Sequence, residues 1–135
     1  MKKAILSLLI LLSVFLFSAC SHNRGIILFN TQPITKENAL SDEIVFNLNE
    51  KVYFLFIAPQ KMENDFIRVQ VFKMTDKAPW GGNEVVRTKD FRLMKDERYY
   101  YTDYFVFNET GRYVMQVFSI DDFRHPLALD FFYVK

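Results

Sequence analysis

A chain of 135 residues carries 17 Lys and Arg against 16 Asp and Glu, with 15 Phe, 7 Tyr, 4 Gly, 4 Pro and a single Cys. The balanced charge excludes the basic face that nucleic-acid binding demands, and one cysteine excludes a disulfide framework. The weight of aromatic and aliphatic residues excludes a disordered chain and suits the pleated, half-buried surfaces of a β domain with a large core.

Residues 1–19 follow the three-part pattern of an export signal. Lys2 and Lys3 are positive, residues 4–17 form an apolar run broken only by Ser7 and Ser13, and Ser18 and Ala19 are the small residues a signal peptidase closes around. The run falls short of the about 20 apolar residues that a spanning helix needs. Cys20 follows at once.

Leu16-Phe17-Ser18-Ala19-Cys20 resembles the lipobox of bacterial lipoproteins, with Phe17 where that family usually has Leu. The resemblance implies that diacylglycerol is joined to the Cys20 sulfur as a thioether and that cleavage frees the Cys20 amine for a further acyl chain. Two or more chains hold a protein stably on a bilayer, where one holds it reversibly. Ser21, which is not Asp, resembles an outer-membrane address in the bacterial cell envelope. The alternative is a plain secretory signal with an incidental cysteine. Residues 20–24 form a lipidated tether. From Ser21 to Arg24 it reaches about 15 Å at ~3.5 Å per residue, so the domain of residues 25–135 works close to the membrane.

After Ala19 there is enough chain for one ordinary domain and too little for two. Short apolar segments separated by turn residues predict strands over 25–30, 43–48, 51–58, 66–75, 84–95, 98–107, 112–120 and 127–134. Pro33 keeps residues 32–38 a loop. Asn49-Glu50 is a candidate two-residue turn, and 51–58 is apolar on both faces, as in a buried central strand. In 66–75, Ile67, Val69 and Val71 share one face and Arg68 and Gln70 the other. The many charges of 84–95 suit an edge strand. Strands in this number and spacing, without a helix, predict an antiparallel sandwich or barrel.

Residues 108–115, Asn-Glu-Thr-Gly-Arg-Tyr-Val-Met, resemble the corner between strands E and F of immunoglobulin-like domains. The resemblance implies an immunoglobulin-like β-sandwich of about seven to eight strands. Gly111 would make the turn, the Tyr113 hydroxyl would cap upstream backbone, and Met115 would take the core position that is Cys in disulfide-bonded members. The usual Trp of strand C is missing, and Phe54 or Phe56 would fill its volume.

Catalytic constellations are missing from the sequence. His22 and His125 lie in no metal-binding pattern, Cys20 is committed to lipid, and neither a Gly-rich phosphate loop nor a Gly-x-Ser-x-Gly elbow occurs. The expectation is a protein that is not an enzyme and carries no cofactor and no metal. The loop over residues 121–126 reads as a polar hairpin loop whose Asp side chains bond local backbone. A calcium site would require more oxygen ligands than it has.

Partner contacts are the remaining candidates. Trp80, the only Trp, stands in a loop between Pro79 and Gly81-Gly82; it either meets a partner or plugs one end of the sandwich. Ala78-Pro79-Trp80 also resembles one loop of chagasin-type protease inhibitors, whose two other loop motifs do not occur here. In the run 99–107, alternation sends Tyr99, Tyr101, Phe105 and Phe107 to one face and Tyr100, Tyr104 and Val106 to the other. The second face looks toward solvent, a partner or the nearby membrane, or is covered by the edge segment or a long loop, and Phe72, Phe118 and Phe132 add to a second apolar face. The functional expectation is a lipid-anchored, non-catalytic module that binds a protein partner through Trp80, Tyr100 and Tyr104 or serves envelope assembly. The alternative is a surface adhesin or inhibitor acting through its loops.

Overall fold

The computed structural model describes residues 24–75 and 82–135. The export signal, Cys20, His22 and the loop bearing Trp80 lie outside the described residues. Within them the chain runs through eight strands: β1 (Ile26–Asn30), β2 (Val45–Phe46), β3 (Lys51–Ile57), β4 (Phe66–Met74), β5 (Asn83–Arg92), β6 (Tyr100–Val106), β7 (Gly111–Ser119) and β8 (Ala128–Val134). Each lies inside or within a residue of an expected segment. No described residue is helical.

The strands form two sheets, one in the order β1-β3-β6 and one in the order β2-β8-β7-β4-β5. Alternation supplies the interior. On β3, Val52, Phe54 and Phe56 are buried, and on β4 so are Ile67, Val69 and Val71. Tyr113, Met115 and Val117 of β7 and Ala128, Phe132 and Val134 of β8 complete the inner face of the larger sheet. All pairings are antiparallel except β2 with β8. This order is that of an immunoglobulin-like sandwich. β1, β3 and β6 take the places of strands A, B and E, while β8, β7, β4 and β5 take those of G, F, C and C′.

The corner before β7 has the expected geometry. The Tyr113 hydroxyl donates to the Glu109 carbonyl at 2.7 Å. Gly111 has φ of +151°, and a Cβ there would stand 2.9 Å from Cε of Lys73. The positive φ demands glycine, and a side chain there would also push Lys73 aside. Lys73 lies across the turn and pairs through Nζ with Glu109 at 2.6 Å. Met115 is fully buried.

Three expectations are corrected. Asn49-Glu50 does form a turn, with Asn49 at φ 64°, but it joins no hairpin. β2 and β3 belong to different sheets, and the turn carries the chain from one layer to the other. β3 is central in its sheet, yet only one of its faces is buried: Tyr53 and Leu55 are half-covered and Ile57 is exposed. Phe132 belongs to the core and not to an outer apolar face, because the inward set of β8 runs through Ala128, Phe132 and Val134.

Aromatic rings close the gap between the sheets. Phe29 of β1 meets Phe132 of β8 at 5.0 Å between centroids, and Phe132 stacks on Tyr113 at 5.4 Å. Phe107 touches both, at 5.3 and 4.6 Å. A second group joins Phe54 of β3 and Phe105 of β6 to Phe91 of β5. Phe54 and Phe56 thus bring aromatic volume to the core from the sheet opposite β4. Each such pair contributes about 0.5–1.5 kcal/mol beyond simple burial.

Truncating Phe132 to Ala is expected to lower unfolding free energy by about 3–5 kcal/mol, since it empties the centre of the ring cluster. Tyr113→Phe removes only the corner hydrogen bond, for about 1–1.5 kcal/mol. Urea unfolding checks both, and a loss for Tyr113→Phe as large as that for Phe132→Ala would contradict the greater weight given to the rings.

Candidate contact surfaces

Three places on the described surface bring distinctive side chains together: an open cavity at one end and the outer faces of the two sheets.

The cavity holds about 800 Å³ and lies between the segment after β3 and the loop joining β7 to β8. Met62, Asn64, Asp121, Asp122, His125 and Arg24 line it, so the tether enters the domain beside it. A serine, a histidine and carboxylates share this cavity, but their hydrogen bonds do not build a nucleophile with its base. The Ser119 hydroxyl bonds Asp121 and accepts from Asn64 Nδ2, whereas His125 Nδ1 bonds Asp122 at 3.0 Å. Asp122 also accepts from the backbone N–H of Arg124 at 2.9 Å and of His125 at 3.3 Å, the local bonding expected of a polar loop. The hydrogen bond from His125 holds the Asp122 carboxyl below the usual carboxylate range, and that from Ser119 does the same for Asp121. Among the described residues no three His, Cys, Asp or Glu side chains gather as a metal-holding group.

The outer face of the three-stranded sheet follows from register. Ile26 lies beside Ile57, which lies beside Tyr100. Leu28, Leu55 and Thr102 form the next row, and Tyr53 pairs with Tyr104 in the one after, their rings 5.3 Å apart. Tyr100 and Tyr104 are 44% and 43% exposed, as alternation predicts. Asn30, beside Tyr53, is buried by the loop that follows it and donates to the Ser41 carbonyl. Lys51 is the only charged residue at an outward position of these strands, with Nζ 4.5 Å from the centre of the Tyr104 ring. No carboxylate occupies an outward position: Asp103 points inward, where it meets the Tyr101 hydroxyl and Lys89. Burial, with Asp103 adding to it, pushes the Tyr101 phenol well above its ordinary value.

The outer face of the five-stranded sheet carries an apolar row across four strands. Phe131 lies beside Val114, Val114 beside Phe72, and Phe72 beside Val85. Val85, 52% exposed, ends the row on the edge strand β5. Arg112 in the next row lays its guanidinium over Phe131 at 4.7 Å and near Tyr133 at 5.9 Å. On the other side the row gives way to Gln116, Gln70 and Thr88, and then to the bidentate pair of Arg68 with Asp90 at 2.7 and 2.9 Å. Arg68 also covers Phe123, which in turn covers Phe118. Of the three phenylalanines expected here, Phe72 lies on the face, Phe118 is roofed over and Phe132 is internal. Val85, Val114 and Phe131 were not singled out in sequence. Each sits in a strand whose alternation is plain, but only register shows that they adjoin.

Tyr100 and Tyr104 therefore share one outer face, four residues apart on β6, while Gly111, Tyr113 and Met115 form the structural corner on the other sheet. Cys20 and Trp80 lie outside the described residues. Among the described residues no helix is long and apolar enough to cross a membrane.

No family model matches the chain, and no curated protein matches it. Among solved structures it resembles an immunoglobulin-like protein from Pseudomonas aeruginosa at 19% identity and a TM-score of 0.49, over 87% of this chain and 99% of that one. It also resembles the soluble domain of PmoD from Methylocystis sp. ATCC 49242 (Rockwell) at 13% identity and a TM-score of 0.45, over 86% and 94% of the two chains. The immunoglobulin-like architecture of this chain rests on its own strand order and tyrosine corner.

The Arg68–Asp90 pair makes a pH prediction. The hydrogen bond from Arg68 lowers the Asp90 carboxyl below its ordinary 3.8. The stability it contributes is present above about pH 4 and is lost as pH falls through the lowered value. Both partners are partly exposed, so the contribution stays under about 1 kcal/mol. Urea midpoints of wild type and Asp90→Asn are expected to differ at pH 7 and to converge near pH 2. A constant difference across that range would contradict the pairing.

Proposed function

We propose that the protein is a lipid-anchored extracytoplasmic module of a bacterial cell envelope that binds a protein partner and carries out no catalysis. In this reading residues 1–19 are removed, Cys20 carries the lipid and an outer-membrane address follows from Ser21. The N-terminal pattern supports the anchor: a positive start, an apolar run too short to span, two small residues and then the only cysteine. The domain supports the binding role. Its distinctive exposed side chains form broad sheet faces, and in the cavity Ser119 is bonded to Asp121 and Asn64 while His125 is bonded to Asp122.

The single observation that carries the protein-binding part is the row Phe131–Val114–Phe72–Val85. It runs unbroken over four strands, with Arg112 stacked at its border. Apolar centres with an aromatic and an arginine at the margin are the composition of protein interfaces. The exposed Val85 on an edge strand leaves that row accessible.

Two variants test the two halves. Cys20→Ser is expected to abolish incorporation of labelled palmitate and to move the protein from the membrane pellet to the soluble fraction. Retained lipid would contradict the anchor. Val85→Asp, at an exposed position, is expected to leave the urea midpoint nearly unchanged while cutting recovery of a crosslinked partner from intact cells tenfold or more. Undiminished crosslinking would remove the row from the interface.

A further inference from the structure

We infer that the outer face of the three-stranded sheet lies against the bilayer that holds the anchor, so that Tyr100, Tyr104 and their neighbours contact lipid. The inference rests on lipidation at Cys20.

Three observations converge on this occupant. The first is position. The chain enters the domain at Ile26, which is itself an outward residue of this face, at the start of its edge strand β1. Gly25 fixes that entry: its N–H donates to the Leu127 carbonyl at 2.7 Å, and a Cβ would stand 2.4 Å from the Ile57 carbonyl oxygen. From Cys20 to Ile26 the chain spans at most about 20 Å at ~3.5 Å per residue. A lipid at Cys20 therefore keeps the membrane within reach of this face.

The second is charge. The outward positions of β1, β3 and β6 carry no carboxylate, and their one charge is the cation of Lys51. The opposite face mixes both signs, with the Asp90 carboxylate among Arg68, Arg92 and Arg112. A surface without anions and with one long amine suits phosphate headgroups, toward which a lysine extends while its stem lies on apolar surface.

The third is composition. Ile26, Leu28, Leu55 and Ile57 form an aliphatic patch on β1 and β3, and Tyr53, Tyr100 and Tyr104 flank it with hydroxyls. Tyrosine concentrates at the headgroup level of bilayers, where a ring meets apolar chain and a hydroxyl meets water. With this face on the lipid, the Phe131–Val85 row on the opposite sheet points away from the membrane, free to meet a partner.

The test uses the full-length lipidated protein in vesicles of phosphatidylethanolamine and phosphatidylglycerol. An environment-sensitive fluorophore is placed on Thr102→Cys, outward on β6 of this face, or on Thr88→Cys, outward on the far sheet. Intact mass confirms lipid on Cys20. The Thr102 probe is expected to be quenched by acyl-chain nitroxides and at least fivefold less by iodide than the Thr88 probe. Lipid present with equal iodide quenching at both positions would overturn the bilayer contact alone. A mass without lipid would overturn the anchor and the contact with it. A Thr102 probe shielded from both quenchers would assign the face to a protein and equally overturn the inference.

Discussion

The sandwich depends on rings that reach across the gap between its sheets. An immunoglobulin-like domain without cysteines lacks the covalent link between strands B and F, and here β3 and β7 are joined through a packed aromatic interior instead. Phe29, Phe107, Tyr113 and Phe132 form one cluster and Phe54, Phe91, Tyr101 and Phe105 another. Large rings fill the roughly 10 Å between sheets with few side chains. Tyr113 does double duty: its ring stacks in the first cluster while its hydroxyl fixes the turn that starts β7. The corner and the core are therefore one unit, and Lys73 crossing over Gly111 to reach Glu109 closes it from outside.

This interior also explains the edges. β5 brings only Phe91 deep into the core, and its inward Arg87 and Lys89 lie over Phe107 and Phe91. Their aliphatic stems and cations cover the open side of the sandwich where β5 passes β6. The charges that mark residues 84–95 in sequence thus serve partly as a lid over rings and partly as protection of an edge.

Much of this was legible in the sequence, for physical reasons that differ by element. β4 and β7 alternate so regularly that strand, face and core residues could all be read from them. The Gly111–Tyr113 corner was readable because a turn needing glycine and a capping tyrosine leave a local mark. β2 was overdrawn, since the apolar residues at 44–48 spend only two positions in a ladder before the chain changes sheet. Phe132 was misplaced because three consecutive apolar residues, 131–133, leave the inward parity of β8 open. The outer row was invisible for another reason: Val85 pairs with Phe72 only after a register shift at Val71, and no local pattern announces a bulge.

With most of the large rings committed inside, the exposed tyrosines and the outer row stand apart as surfaces left for contact, on opposite sides of a thin domain. In the proposed arrangement the three-stranded sheet rests on lipid and the five-stranded sheet looks outward. Neutron reflectometry of the lipidated protein on a supported bilayer tests that arrangement most directly. A sandwich lying on its sheet is two layers plus outer side chains thick, roughly 20–25 Å. The account predicts a protein layer of that thickness in direct contact with the headgroups. A layer about 40 Å thick, separated from the headgroups by a band of water, would mean that the domain stands on end from its tether and would contradict it.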